Sequence, residues 1–344
     1  MKNIPVVFGF VICVSIAFSC AMPKAVSINK AEVLPPSFQN SLDSSSIATH
    51  PKKLFFPDPA LQELIDTALQ YNADIRIAVQ RIAAAKAGFG IAQGITKPSL
   101  DAVVSTGVDK FGDYTMNGLG NYDMNLSPNI RKDQQIPLNM PDIFVGFRSS
   151  WEADIWGKLS NQKKAAYTKY LATEQARQWV TTQIVSQVAG LYYELLALDK
   201  ELEILQNNIK LQENAVEIVK IQKAGGRATE LAVQQFNAQL LGTKSMLNVM
   251  QQRITAIQNQ LGALSGKYDF TIKRGKSITD LAVPENIQIG IPAQLLVNRP
   301  DIREAELLLE AAGAELEASR KAFLPSLNIS AYTALNSFKS SVLF

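Results

Sequence analysis

The sequence predicts an α+β membrane protein in which long antiparallel helices are joined to transmembrane β-barrel strands. Three observations support this fold class. Two long runs of apolar residues recur at heptad spacing, which is typical of helices packed side by side. Three shorter segments alternate apolar and polar residues, as strands do. Part of the chain also recurs at an offset of 227 residues, so we expect two structural repeats.

The duplication is visible when Asp74 is aligned with Asp301. Of the 27 ungapped positions that start there, ten are identical, beginning with "DIR" and ending with "PSL". Each copy predicts a helix that is followed by a strand. We therefore assign residues 58–280 to the first repeat and residues 281–344 to an incomplete second repeat.

The beginning of the chain predicts export and a lipid anchor. Lys2 is followed by the apolar run "IPVVFGFVICVSIAF", which ends at Ser19 before Cys20. This arrangement resembles a lipoprotein signal, so we expect a signal peptide at 1–19 and a covalent lipid on Cys20. A plain secretory signal with an incidental cysteine is the alternative. The residues that follow, 20–57, are rich in Ser, Pro and Asn and predict a lipidated N-terminal tether.

The middle of the chain predicts a long helical hairpin at about 158–264. One apolar track runs from Val188 to Val219 and a second from Val233 to Leu264, each at alternating spacings of three and four with one polar exception. The tracks lie symmetrically about Gly226. The hairpin should therefore turn at "AGGRAT", where Gly225 and Gly226 permit positive φ. Its first helix should cover 66 residues, roughly 100 Å.

Strands are predicted at about 99–109, 142–153 and 326–335, and a helix of the second repeat at about 299–323. In the second strand Ile143, Val145 and Phe147 alternate with a mainly polar set, so one side of this strand is mainly apolar. Each strand is near the ~9–11 residues that a tilted transmembrane strand requires.

Alternation alone is equally typical of a soluble sheet that is half-buried against helices. After residue 20 no run approaches the ~18 apolar residues of a membrane helix, so a membrane-spanning chain would need a closed barrel. The Gly-, Asn- and Pro-rich stretch 111–141 predicts a long external loop, which favours the barrel.

The composition argues against nucleic-acid binding and catalysis. The net charge is +3, and aromatic and basic residues do not interleave in one patch. The single histidine, His50, lies in the predicted tether. The sequence therefore has no suitably placed histidine for His-based catalysis and too few histidines for a multi-His metal site. Glu152 and Asp154 are two residues apart at a predicted strand end and could share a face, as paired acids do. We expect no enzyme, no metal and no cofactor besides the lipid on Cys20.

Four segments together resemble the outer-membrane efflux proteins. They are the duplicated "DIR…PSL" helices, "WEADIWGKL" at 151–159, "LYYELLALDKELEILQ" at 191–206 and "NRPDIREAELLLEAAGAELEASRKAFLPSLNIS" at 298–330. These proteins are TolC-like channels, and the lipoprotein-like start is similar to the NodT-type branch. The resemblance implies a homotrimer whose outer-membrane β-barrel continues into a periplasmic α-barrel. It also implies that Glu152 and Asp154 lie at a structural strand-to-helix junction and are not a catalytic pair.

The resemblance also implies a function. The protein would be the passive exit duct of a tripartite efflux system for small molecules or ions, in the outer membrane of a Gram-negative bacterium. It would work with a periplasmic adaptor (membrane fusion) protein and an inner-membrane pump. Ile143, Val145 and Phe147 would face lipid, and a tip would dock the adaptor. The tip residues are Gly225, Gly226, Arg227, Ala228 and Thr229. A duct for type I protein secretion and a periplasmic helical-hairpin adaptor remain as alternatives.

The second repeat is shorter than the first. With the offset of 227 residues, its last heptad position would fall near 491, whereas the sequence stops at Phe344. The resemblance therefore implies a C-terminally truncated chain that lacks part of the channel.

Overall fold

The computed structural model describes residues 55–267, 271–281 and 298–343. The predicted signal peptide, Cys20, His50 and most of the predicted tether lie outside the described residues. The chain divides into two compact units. The strand unit contains Ala87–Tyr167 and the described residues from Glu310 onward, and the hairpin unit contains the other described residues.

The helices and strands follow one another in chain order. They are α1 (Pro59–Tyr71), α2 (Ala73–Ile95), β1 (Ser99–Asp109), α3 (Met116–Leu126), β2 (Met140–Ala153), α4 (Lys158–Ala224), α5 (Glu230–Leu264), α6 (Pro300–Lys321) and β3 (Leu327–Ser337). The predicted combination of long antiparallel helices with a few strands is confirmed.

In the strand unit the three strands form one antiparallel sheet in the order β1-β2-β3. Val145 of the central strand lies opposite Val104 on one side and opposite Leu335 on the other. Residues directly opposite each other point to the same side of a sheet. The apolar alternations of all three strands therefore fall on a single side.

In the hairpin unit α4 and α5 pack through the predicted heptad tracks. Val188, Leu195 and Leu261 are fully buried, and α1 contributes Leu61 and Leu64 to the same core. The continuous helix α4 has 67 residues and α5 has 35. Within the described ranges, no helix has both the length and the apolar character to cross a membrane.

Two helices were not predicted from the sequence. Asp58 caps α1 by accepting a hydrogen bond from the Ala60 N–H at 2.9 Å, and Pro59 occupies its first turn, where a missing N–H costs nothing. The second is α3, which occupies 11 residues of the stretch 111–141 between β1 and β2, where the sequence predicted a long loop. Thr115 caps α3 by accepting from the Gly118 N–H at 3.1 Å.

Candidate functional site

The hairpin tip (Gly225–Thr229) is a tight helix-to-helix turn. Gly226 has a φ of 70°, in the left-handed region that favours glycine. The Arg227 N–H donates to the Gln222 carbonyl at 2.8 Å, which closes the last turn of α4. Thr229 then caps α5 by accepting from the Ala232 N–H at 3.3 Å. Gly225 and Gly226 are exposed, and no side-chain atom would lie within 4 Å of a Cβ at either position.

Charged side chains close the base of the tip. Lys223 of α4 forms an ion pair with Glu230 of α5, and the Gln234 amide donates to the same carboxylate at 2.7 Å. The hydrogen bond from Lys223 is the main cause that holds the pKa of Glu230 below its usual value. Arg227 is exposed and has no ion-pair partner among the described residues. The tip therefore presents one uncompensated positive charge.

The apolar face of the sheet carries most of the large apolar side chains of the strands. It comprises Leu100, Ala102, Val104, Thr106 and Val108 of β1, Ile143, Val145, Phe147, Ser149 and Trp151 of β2, and Leu327, Ile329, Ala331, Thr333 and Leu335 of β3. Val104 is 78% exposed and Phe147 is 53% exposed. Monomeric soluble proteins rarely expose a contiguous apolar patch of this kind, so this surface is suited to an apolar partner.

The opposite face of the same sheet is mainly polar. Arg148 lies directly between Asp101 of β1 and Tyr332 of β3, and Asn336 donates a hydrogen bond to Asp142 at 2.6 Å. At Gly146 this face has no room for a side chain, because a Cβ there would lie 2.4 Å from the Cβ of Ala334. The sheet therefore has one apolar and one polar side.

The two acids noted in the sequence have structural partners at the junction of β2 and α4. Asp154 accepts hydrogen bonds from the Leu159 N–H at 3.0 Å and the Ser160 N–H at 2.8 Å, so it caps α4. Partial burial raises the pKa of Asp154, but these hydrogen bonds outweigh it and hold the pKa below its ordinary value. Glu152 forms an ion pair with Lys158 at 2.5 Å. The geometry therefore supports the junction assignment.

Sequence reasoning missed the ties that join the repeated segments to this junction. The Trp156 Nε1–H donates to the Pro325 carbonyl at 2.8 Å, and the Trp151 Nε1–H donates to the Thr96 carbonyl at 3.2 Å. Trp151 thus contacts the chain just before β1, and Trp156 contacts it just before β3. The two tryptophans of the motif indicated that their side chains have a structural role. Their hydrogen-bond partners are 55 and 169 residues away in sequence, so the sequence alone could not identify them.

A buried polar network in the hairpin unit was also missed. The Tyr192 hydroxyl donates to Asp58 at 2.6 Å and accepts from the Gly275 N–H at 2.9 Å. Burial, together with the hydrogen bond to Asp58, raises the pKa of Tyr192. No group of His, Cys, Asp and Glu side chains suited to a metal ion occurs in the described part of the chain.

A family model described as "Outer membrane efflux protein" matches residues 64–267 and 291–342. The chain belongs to this outer membrane efflux protein family. The match covers both heptad tracks of the hairpin, the two tryptophan ties and all three strands of the sheet. The resemblance that the sequence predicted is confirmed.

Individual members of the family agree with this assignment. The chain is 31% identical over 291 residues to the solvent efflux pump outer membrane protein SrpC of Pseudomonas putida, with 84% of this chain and 58% of that protein covered. It is 28% identical over 353 residues to a Salmonella typhimurium protein named "Probable outer membrane lipoprotein SilC", covering 100% of this chain and 70% of SilC. The chain thus spans less than two thirds of the length of SrpC.

Solved structures of the family share the fold. The open state of the MtrE outer membrane channel of Neisseria gonorrhoeae superposes with a TM-score of 0.74 at 23% identity, over 94% of this chain and 69% of MtrE. This likeness shows the architecture alone. The roles of Cys20, the hairpin tip and the apolar face stay predictions.

Proposed function

We propose that this family member is part of a passive outer-membrane exit duct in a tripartite efflux system. It would act as a homotrimer with a periplasmic adaptor protein and an inner-membrane pump, and would catalyse no reaction. The observation that carries this proposal is the two-sided sheet, whose central strand leads directly into the 67-residue helix α4. In a membrane barrel the apolar side of each strand meets lipid and the polar side lines the interior.

The sheet edges support assembly with further strands. Among the described residues β1 and β3 pair only with β2, so the outer edge of each strand has unpaired backbone groups. Unpaired N–H and C=O groups cost several kcal/mol each in hydrocarbon, which is why membrane sheets close on themselves. Strands from further copies of the chain would satisfy both edges.

The substrates would be small molecules or ions. SrpC carries the word solvent in its name and CusC of Escherichia coli carries the words cation efflux. The two relatives are about equally similar to this chain, at 31% and 27% identity. We therefore do not choose between an organic solvent and a cation as the substrate. The polar face of the sheet, with Asp101 and Arg148 side by side, is compatible with a water-filled interior.

The hairpin tip would dock the adaptor. Gly225 and Gly226 allow close approach of a partner backbone, and the exposed Arg227 supplies a charge that a partner carboxylate could meet. A photo-crosslinker placed at Arg227 or Ala228 in the natural protein should capture the adaptor. The same crosslinker at Tyr170, far back on α4, should not.

A charge reversal sharpens this test. Arg227→Glu should weaken adaptor capture from Ala228 about tenfold, since the loss of a charged contact and the new repulsion act together. Lys110→Glu, which reverses a charge beyond the far end of β1, is the matched control and should leave capture unchanged. Capture of the adaptor from Tyr170, with none from the tip, would mean that the tip points away from the adaptor.

The lipid anchor is proposed for Cys20, and the lipoprotein name of SilC supports it. Cys20→Ser should abolish incorporation of radiolabelled palmitate while the protein is still exported, because the thioether to the lipid needs the cysteine sulfur. Cys13→Ser, within the predicted signal peptide, is the control and should label normally. Equal labelling of the wild type and Cys20→Ser would rule out this anchor.

A further inference from the structure

In the strand unit, helix α4 is in contact with both helices of the duplicated segments. The Phe89 ring of α2 lies 5.2 Å from the Tyr167 ring of α4, measured between centroids. Glu310 of α6 forms an ion pair with Lys164 of α4 at 3.0 Å. Helices α2 and α6 therefore each have one side that is turned towards α4.

The opposite side of each helix is apolar and exposed. Ile91 lies two residues after Phe89, so its side chain points to the other side of α2, and it is 68% exposed. Leu316 lies two residues after the buried Ala314 in the same way and is 42% exposed. We call Ala87, Ile91 and Ile95 the α2 outer seam, and Ala312 and Leu316 the α6 outer seam.

The duplication indicates that both outer seams are packing surfaces. With the offset of 227 residues, the α2 outer seam corresponds to the part of α6 that contains Ala314 and Ala318, which are buried. Leu316 of the α6 outer seam corresponds to Phe89, the residue of α2 that contacts α4. Each outer seam is thus the copy of a surface that is packed in the other repeat, and its residue spacing suits a helix as the partner.

The position of the outer seams points to a second copy of the chain as the source of this partner. Helix α2 leads into β1 and α6 leads into β3, and within the described residues each of these strands pairs with β2 alone. The inner sides of both helices and the inner edges of both strands are therefore used within one copy. The outer seams and the outer strand edges are left for neighbouring copies.

Charge favours one arrangement of the copies. Helix α2 has three basic residues and one acidic residue, a net charge of +2, whereas α6 has six acidic and three basic residues, a net charge of −3. Helices of opposite net charge attract each other, so α2 of one copy is suited to lie beside α6 of the next. A contact between two different surfaces is head-to-tail, and it forms a ring when the rotation closes.

We propose that the α2 outer seam of one copy packs against the α6 outer seam of the next copy. The large Leu316 then meets a helix surface that contains the small Ala87, which lets the two helices approach closely. The proposal rests on the proposed function, to which it adds the surface through which the copies of the duct associate.

A charge placed in the α2 outer seam tests the proposal. The purified chain is kept in detergent, and native mass spectrometry counts the copies in each assembly. Ile91→Glu should weaken association at least about tenfold, because its carboxylate would be buried against apolar groups and would face an acidic helix. Ile91 is mostly exposed in a single copy, so the helix content measured by circular dichroism should stay unchanged.

Gln93→Glu is the matched control. Gln93 is exposed on the same helix and lies two residues from Ile91, so the new charge would point away from the α2 outer seam. This variant should associate like the wild type. Equal association of Ile91→Glu and the wild type would overturn the proposal, and so would a wild-type chain that stays single in detergent.

Paired cysteines test the partner surface. In a chain that also carries Cys13→Ser and Cys20→Ser, the double variant Ala87→Cys with Ala312→Cys should form disulfide-linked dimers and larger products on oxidation. Neither single variant should do so, because the contact joins two different surfaces. Association without these products would mean that another surface joins the copies. Because association is measured in detergent, a failure of membrane insertion would count against the proposed function and not against this interface.

Discussion

Tyr192 and Asp58 form a buried polar contact between residues 134 positions apart in sequence. The tyrosine hydroxyl is a donor to Asp58 and an acceptor from Gly275, so one oxygen joins α4, the start of α1 and the segment 271–281. A Cβ on Gly275 would lie 2.2 Å from a carboxylate oxygen of Asp58. The segment can therefore reach the hydroxyl only with glycine at this position.

Tyr192→Phe should loosen the segment 271–281. The substitution removes only the hydroxyl, which leaves the Gly275 N–H unpaired and Asp58 short of one donor, at a cost of about 1–3 kcal/mol. Hydrogen–deuterium exchange of this segment should accelerate by roughly tenfold or more. The neighbouring Tyr193→Phe is the matched control, because the Tyr193 hydroxyl has no hydrogen-bond partner within the described residues. Unchanged exchange in Tyr192→Phe would show that the network does not hold the segment.

The hairpin of α4 and α5 has a polar layer inside its apolar seam. The two polar exceptions in the heptad tracks are Gln212 and Thr243. Thr243 donates to the Gln239 carbonyl of its own helix at 3.0 Å, whereas the Gln212 Oε1 is buried without a hydrogen-bond partner among the described residues. Along their helices, Gln212 lies between Ile209 and Val216, and Thr243 lies between Leu240 and Leu247, which belong to or pack against one small apolar cluster. A buried acceptor without a partner lowers the stability of its surroundings.

Gln212→Leu should stabilise this part of the hairpin. It removes an unsatisfied buried acceptor and adds apolar contact, for a gain of about 1–2 kcal/mol. Because local opening limits proteolysis, trypsin should cleave after Lys210 and Lys220 several-fold more slowly. The exposed Gln206→Leu is the control and should leave cleavage nearly unchanged. Faster cleavage in Gln212→Leu would show that the glutamine has a stabilising partner.

Elements with a regular pattern of apolar residues were predictable from the sequence, including the short strands, and α3, which has no such pattern, was not. The heptad spacing from Val188 to Leu264 predicts two packed helices, because an apolar residue recurs on the same face of the helix at nearly every turn. Helix α3 has only 11 residues, two of them glycines, and starts at the Thr115 cap. Its helical propensity is low, and local capping within the loop decides its conformation.

At the scale of the whole molecule, the duplication places related segments at equivalent positions. Helices α2 and α6 begin at Ala73 and Pro300, which keeps the offset of 227 residues. The strands that follow them, β1 and β3, lie on the two sides of β2. The sequence predicted which residues alternate within each strand. It could not predict that all three alternations meet on one side, because the register depends on pairings between residues 31 to 194 positions apart.

The central claim is that the apolar face meets lipid, and substitution of Val145 tests it most directly. In the natural protein, Val145→Arg should cost about 2–4 kcal/mol of insertion stability, because the charge would enter the hydrocarbon. Ser150→Arg adds the same charge to the polar face of the same strand and should insert like the wild type. Co-flotation of each protein with liposomes measures the inserted fraction. The account predicts a clear loss for Val145→Arg alone, and insertion of Val145→Arg at the wild-type level would contradict it.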